Sequence, residues 1–285
     1  MRQFLQATIN VVMLGGMYAL ASVGLSLVYS TLRIIQFAHG QFIMLGGYAL
    51  YYFYAVQGVN YFASLLIAGA IIGVASAGVE RGFFRPVQGA DLQAMVVGLG
   101  LLLLIEGVAQ LVFGVETKFV PLPFRGVVNV GGLVIPTMQL VVITVALIMV
   151  SVLFGFLNWT KVGWATRAVA DDPEAASLYG VNVGNIRTLG FSIGSAMAGM
   201  AGGLLVTVTA LNPFIGGRFL IKAFIIVIVG GLGSLSGTVF AAFLLGAIEG
   251  YGNVYLGQPA TLISFLLLIL VLLLRPGGLV SIGRH

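Results

Sequence analysis

The sequence predicts an all-α fold: a polytopic helical membrane protein with about 8–10 membrane segments, some of them broken or half helices. Three observations predict it. Of the 285 residues, 60% are hydrophobic and 7% charged, and the mean hydropathy is +1.12; a soluble domain carries about 25% charged residues. Such a chain cannot solvate its own surface, and in hydrocarbon the backbone satisfies itself only in helices or closed barrels. The apolar runs are long and continuous, without the alternation of barrel strands. Finally, the apolar stretch from Phe219 to Tyr251 is cut by GGLGSLSG, Gly230 to Gly237. A glycine break at membrane depth is tolerated only where it lines a cavity or packs inside protein.

A spanning helix takes roughly 20 apolar residues. In chain order the candidates are Thr8–Tyr29, Phe37–Val56, Phe62–Val79, Leu92–Phe113, Thr137–Leu157, Leu189–Thr209 and Leu262–Leu274, the last of them short. The first is read as a retained helix and not a cleaved leader, because the apolar run continues past Ala19-Leu20-Ala21 to Tyr29. Each side of the Gly230–Gly237 cut is expected to be too short to span upright. One integral-membrane domain over residues 1–285 accounts for the chain, with no soluble domain and no linker long enough to attach one.

Lys and Arg set the orientation. The loop Glu80–Asp91 holds Arg81 and Arg85, the loop Asn158–Thr188 holds Lys161, Arg167 and Arg187, and the tail holds Arg275 and Arg284: seven of the 13 basic residues. Positive loops stay cytoplasmic, so these three segments are expected on that side. The loop Gly114–Pro136 then faces outward. The first three helices put the N-terminus outside too, unless Phe37–Val56 is re-entrant and reverses it.

Composition also removes function classes. There is no cysteine, which excludes thiol catalysis, disulfides and thiolate metal sites. The net charge of +5 comes from Lys and Arg scattered through short loops, the ordinary pattern of a membrane protein and no sign of a nucleic-acid partner. The only histidines are His39 and the terminal His285, so an intramembrane enzyme lacks its base and its metal motif. GGLGSLSG lacks the lysine of a phosphate loop. The chain is therefore expected to bind no cofactor and to hydrolyse no ATP itself.

One stretch is unlike the rest. RAVADDPEAASLYGVN, Arg167 to Asn182, holds four of the charged residues in 16 positions. Asp172-Pro173-Glu174 is a helix start: Asp caps free N–H groups, Pro fits the first helical position, and Glu174 suits the positive end of the dipole. Gly180 is a helix stop. Ala175, Leu178 and Tyr179 fall on one face, Ala165, Ala168 and Val169 repeat that spacing upstream, and Arg167 and Asp171 stand at i and i+4, near enough to pair. A short amphipathic helix between two spans could rest on lipid headgroups, but its small apolar face suits a protein groove better.

Ionisable residues inside a membrane usually have a role or a partner. His39 begins the second segment beside Gly40, either as a hydrogen-bonded residue near an interface or as part of a lining. Glu106 lies deep in Leu92–Phe113, facing a cavity or packing between helices. Glu249 is read as lying near a segment end, and Lys222 at an outer boundary where it can snorkel.

These residues together resemble a family: the permease of branched-chain amino acid ABC importers, the LivH type. The marks are Phe37-Ala38-His39-Gly40 with Met44-Leu45-Gly46-Gly47-Tyr48; Gly163-Trp164-Ala165-Thr166-Arg167-Ala168 through Asp172-Pro173-Glu174-Ala175-Ala176 to Gly180; Gly230-Gly231-Leu232-Gly233-Ser234 with Gly237; and Arg275-Pro276-Gly277-Gly278-Leu279. Each alone is weak, but their order and spacing cover nearly the whole chain. The resemblance implies a multi-pass protein of the bacterial inner membrane, surrounded by lipid. Its loop at about 159–188 would be cytoplasmic and couple to an ATPase through Arg167, Asp171, Asp172, Pro173, Glu174, Ala175, Leu178, Tyr179 and Gly180. It implies a translocation path that includes Phe37, His39, Gly40, Glu106, Gly230, Gly231 and Gly233. The implied partners are two ABC ATPase subunits, a second permease subunit (LivM-like, or a copy of this chain) and a periplasmic or extracellular solute-binding protein. The solute would be a branched-chain or other apolar amino acid, with urea, amides or aromatic acids as alternatives. An autonomous secondary transporter or channel is the alternative of another class; it would need an ion site, for which only His39 and Glu106 are available.

Overall fold

The computed structural model describes residues 2–130 and 133–255, with positions 257, 266, 270, 273 and 274. In order the elements are α1 (Arg2–Leu32), α2 (His39–Leu50) with a π-helical continuation Tyr51–Val56, and α3 (Tyr61–Val79) with a π-helical turn Glu80–Phe84 and a 3-10 turn Arg85–Val87. Then come α4 (Asp91–Phe113), strands β1 (Val127–Val130) and β2 (Leu133–Pro136), α5 (Thr137–Trp159), α6 (Lys161–Asp171), α7 (Pro173–Leu178), α8 (Val183–Leu205), α9 (Ile215–Gly230) and α10 (Leu235–Tyr255).

Six of these are long and apolar enough to cross a membrane: α1, α3 with its continuation, α4, α5, α8 and α10. The protein is a polytopic helical membrane protein. The expected span Leu262–Leu274 and the basic residues Arg275 and Arg284 lie outside the described residues, isolated positions apart. In the loop after α4 the two strands pair antiparallel, Val127 opposite Pro136 and Val130 opposite Leu133. An isolated bridge between Lys118 and Leu211 ties the same loop to the α8–α9 connection.

Local chemistry sets the boundaries. The Asn60 side chain accepts from the N–H groups of Phe62 and Ala63 at the start of α3, Thr160 from Gly163 at α6, and Asn182 from Asn185 at α8, each satisfying donors that a helix start leaves free. The axis of the bundle is α1 with α8, wrapped by α2, α3, α9 and α10. Small residues let them meet. A Cβ on Gly24 would collide with the Gly194 carbonyl, and one on Gly194 with the Gly24 carbonyl. Where backbones touch in this way, dispersion replaces the hydrophobic force that lipid cannot supply.

Two features differ from the expected segments. The second segment is helical only from His39 to Val56, and it is preceded by a loop and a turn over residues 33–38. α1 ends at Leu32, and the linker Arg33–Ala38 turns back into the bundle, so that α2 begins with His39 bonded to the Ala21 carbonyl at 2.9 Å. Ala21 precedes Leu32 by eleven residues, so α2 starts about 16 Å inside that end of α1. The apolar composition of Phe37–Val56 hid the break. Conversely, α10 is not too short to span: it begins at Leu235, inside the glycine cut, and runs 21 residues to Tyr255.

Contacts also group the ends. Arg85 on the α3 continuation donates to the Gly184 carbonyl at 2.9 Å, and Arg187 donates to Gln88 Oε1 at 3.0 Å. The two basic loops Glu80–Asp91 and Asn158–Thr188 therefore share one end of the bundle. Arg33, just past α1, reaches the Ala170 carbonyl at that same end, which leaves residue 2 at the opposite one.

Candidate functional site

The capped helix forms as its sequence demands. Asp172 Oδ1 accepts from Glu174 N at 2.9 Å and Ala175 N at 3.0 Å, and Pro173 takes the first helical position of α7. Gly180 follows with φ +81°, the left-handed stop that glycine reaches without penalty. Ala176 is turned inward, while Leu178 and Tyr179 are 88% and 89% exposed. At the α5–α6 corner Trp159 is also almost fully exposed and Trp164 about half exposed. Leu178 and Tyr179 are flanked along the chain by the exposed charged residues Asp171, Asp172 and Glu174. Sequence reasoning assigns neither tryptophan a coupling role, although Trp is a residue type that contact surfaces favour.

Two expectations for α6 are corrected. Its inward stripe is Gly163, Thr166 and Val169, not Ala165, Ala168 and Val169. A Cβ at Gly163 would strike the Phe156 carbonyl, so the glycine must face α5 and fixes the helix rotation. Arg167 does not pair with Asp171: its Nη1 donates to Asn158 Oδ1 at 3.0 Å, across the α5–α6 corner.

A polar network joins the α3 continuation to the start of α8. Glu80 is fully buried and accepts from Thr188 Oγ1 at 2.6 Å and Gln88 Nε2 at 3.4 Å, with Arg85 Nε 3.8 Å away. Arg85 donates in turn to Thr188 Oγ1 at 3.1 Å. A buried carboxylate needs such partners, and they bind the α3 continuation to the first turns of α8.

The residues expected along a path divide. Phe37 lies in the linker and packs edge-on against Phe224, ring centroids 5.3 Å apart. Both line an apolar cavity of about 290 Å³ together with Ile34, Ile35, Tyr29 and Leu232. Leu232 comes from the glycine cut, so that break does reach the cavity. Gly231 and Gly233 turn the corner there with φ +100° and +82°, and Gly230 packs against the backbone of Gly237 and Thr238. His39 is fully buried against α1. Gly40 is closed over by the Gly216 carbonyl and Leu220 of α9. Glu106 is half-buried and accepts from Gln41 Nε2 at 3.1 Å, joining α4 to α2. So Phe37 and the glycine corner adjoin one cavity, while His39, Gly40 and Glu106 sit at helix contacts.

The comparisons with known proteins fall on the same features. The family model for the branched-chain amino acid transport system permease component matches residues 7–274, from α1 through the capped helix and the glycine corner. The chain belongs to this family. LivH of Salmonella typhimurium, a high-affinity branched-chain amino acid transport system permease protein, is 35% identical over 98% of this chain and 96% of its own length. BraD of Pseudomonas aeruginosa, with the same description, is 33% identical over 98% and 96%. LivM of Escherichia coli K12 is 25% identical over 98% of this chain and 71% of its own length. No solved structure matches.

Two further features of the permease escaped sequence reasoning. Lys222 is not at a boundary and Glu249 is not a loose segment end. Lys222 Nζ donates to Glu249 Oε2 at 2.7 Å, and Tyr18 OH, midway along α1, donates to the same oxygen at 2.5 Å. Lys222 Nζ also lies 2.6 Å from the Tyr18 oxygen and over the Tyr18 ring. This triad ties α9 and α10 to α1. At the end away from α7, the permease has a wide depression of about 640 Å³ between Phe119–Gly126, the start of α5 and Val206–Ala210, with Arg125 on its rim.

Proposed function

We propose that this chain is the membrane permease subunit of an ABC importer in the bacterial inner membrane. It carries branched-chain or other apolar amino acids inward, driven by ATP hydrolysed on partner subunits. One observation supports this most strongly: a capped helix, tethered to the bundle end by the α5–α6 corner, presents Leu178 and Tyr179 to solvent. An exposed apolar patch rimmed by charge marks a partner site, and the chain itself carries no phosphate loop. Energy must then arrive by contact.

In this reading residues 159–188 are cytoplasmic and grip one of two ABC ATPase subunits through Arg167, Asp171, Asp172, Pro173, Glu174, Ala175, Leu178, Tyr179 and Gly180. A second permease subunit, LivM-like or a copy of this chain, completes the membrane part; the similarity to LivM along 98% of this chain suits a pseudo-symmetric pair. A solute-binding protein delivers the amino acid to the depression near Arg125. ATP closes the ATPases, α7 moves, and α2 with the glycine corner opens the apolar cavity. The path residues proposed from sequence, Phe37, His39, Gly40, Glu106, Gly230, Gly231 and Gly233, are the wall of that cavity and the contacts that hold it.

The test is reconstitution with the partner subunits, reading leucine uptake and leucine-stimulated ATPase activity. Replacing Glu174 and Tyr179 together with Ala is expected to cut uptake by about tenfold or more through loss of hot-spot contact, with the chain still folded; wild-type coupling in that double variant would remove the docking role. For Glu106→Gln we expect uptake within about twofold of the parent, since an amide oxygen still accepts from Gln41. A loss of tenfold or more would instead mean that Glu106 faces the solute and does more than hold a helix contact.

A further inference from the structure

Nothing above explains Arg33. It ends α1 with φ +59°, and among the described residues it is the only one besides glycines with positive φ. Its N–H closes the last turn on the Tyr29 carbonyl at 2.8 Å. Glycine normally occupies this left-handed stop, because a side chain there crowds the backbone. Such a conformation persists in another residue when its surroundings hold it. Here Arg33 Nη2 donates to the Ala170 carbonyl at 2.6 Å, in the last turn of α6 next to Asp171 and Asp172. A second arginine holds the same joint. Arg187, in the second turn of α8, donates through Nε to the Thr31 carbonyl at 3.3 Å and is itself fixed by Gln88.

The two attachment points bracket α7. Ala170 precedes it, Arg187 follows it, and both grasp the end of α1. What leaves that joint is the linker Arg33–Ala38, whose Ile34, Ile35 and Phe37 form one wall of the apolar cavity. We infer that Arg33 and Arg187 are positioning residues that convert movement of the segment around α7 into movement of the Ile34–Phe37 wall. They touch neither solute nor nucleotide. Arginine suits the task, because a planar guanidinium holds a carbonyl in fixed geometry with little further loss of freedom. The inference rests on the importer reading above and adds the connection between its two sites.

Arg33→Gly is the decisive variant. Glycine adopts the backbone conformation of residue 33 freely, so the fold is relieved while the clamp is lost. In proteoliposomes containing the complete transporter, Arg33→Gly and Arg187→Ala are expected to raise the ATP consumed per leucine carried about tenfold. ATPase turnover and co-purification of the subunits should stay at the parent's level. Arg33→Lys, which keeps a donor for Ala170, should recover most of the coupling. A second measurement exploits the absence of cysteine. The maleimide labelling rate of an Ile35→Cys permease should change several-fold on ATP–vanadate trapping and become insensitive to nucleotide when Arg33→Gly and Arg187→Ala are added. Parental stoichiometry in both arginine variants overturns the clamp, as does labelling that ignores nucleotide in the Ile35→Cys parent or still responds in the triple variant. If the unmodified assembly takes up no leucine with ATP, the importer reading falls and the clamp with it.

Discussion

Replacing Glu249 with Gln is expected to destabilise the permease by about 3 kcal/mol or more. Glu249 is 5% exposed, and one of its oxygens receives both the Lys222 ammonium at 2.7 Å and the Tyr18 hydroxyl at 2.5 Å. Gln keeps the shape and loses the charge, leaving an ammonium half-buried in an apolar bundle without its anion. Removing one partner of a buried pair costs far more than the pair contributes, because desolvation of the survivor is no longer offset. Lys222→Met should do comparable damage, and the double variant Lys222→Met with Glu249→Leu should recover most of it. The thermal midpoint of the purified protein in detergent, followed by monodispersity, reads all three. If Glu249→Gln melts where the parent does, or the double variant is worse than either single one, the triad is not an ion pair of this kind.

Gly202→Val should abolish the folded permease outright. A Cβ at Gly202 would fall on the carbonyl of Ile43 and within 3.1 Å of Gly47 N. Every neighbour there is backbone, so no side chain can swing aside, and α2 would have to separate from α8. Overpacking a well-filled core costs about 1–3 kcal/mol even where side chains can adjust, so this site lies above that range. The control is Gly78→Ala on α3, where an added Cβ meets nothing within 4 Å. There the helix should gain up to about 1 kcal/mol from the better helix former. A well-folded Gly202→Val protein would mean that α2 does not cross α8 as described.

The fold class was legible because composition alone forbids a water-exposed surface. The capped helix was legible because Asp172, Pro173, Glu174 and Gly180 each act within one or two turns of their own position. What stayed hidden depends on distance or on faces. Phe37–Val56 is mostly apolar, so nothing in it marks where the turn at residues 37–38 gives way to helix at His39. The rotation of α6 turns on Gly163 fitting against α5, which an alanine pattern does not reveal. Lys222 and Glu249 stand 27 residues apart on different helices, and Arg33 meets Ala170 across 137. Pairings of that range leave no local period to read.

The enclosure of α1 has a consequence for biosynthesis. α1 is made before every other described helix and is among the most deeply buried, while its neighbours α8, α9 and α10 come last among the described elements. α8 begins at residue 183, so Tyr18 must wait in lipid on the order of ten seconds or more at ordinary elongation rates before its companions emerge. A nascent chain halted before α9 holds a helix whose hydroxyl has neither Lys222 nor Glu249 to meet. Quality-control proteases should therefore clear truncated permeases that lack the C-terminal third, however well their early helices insert.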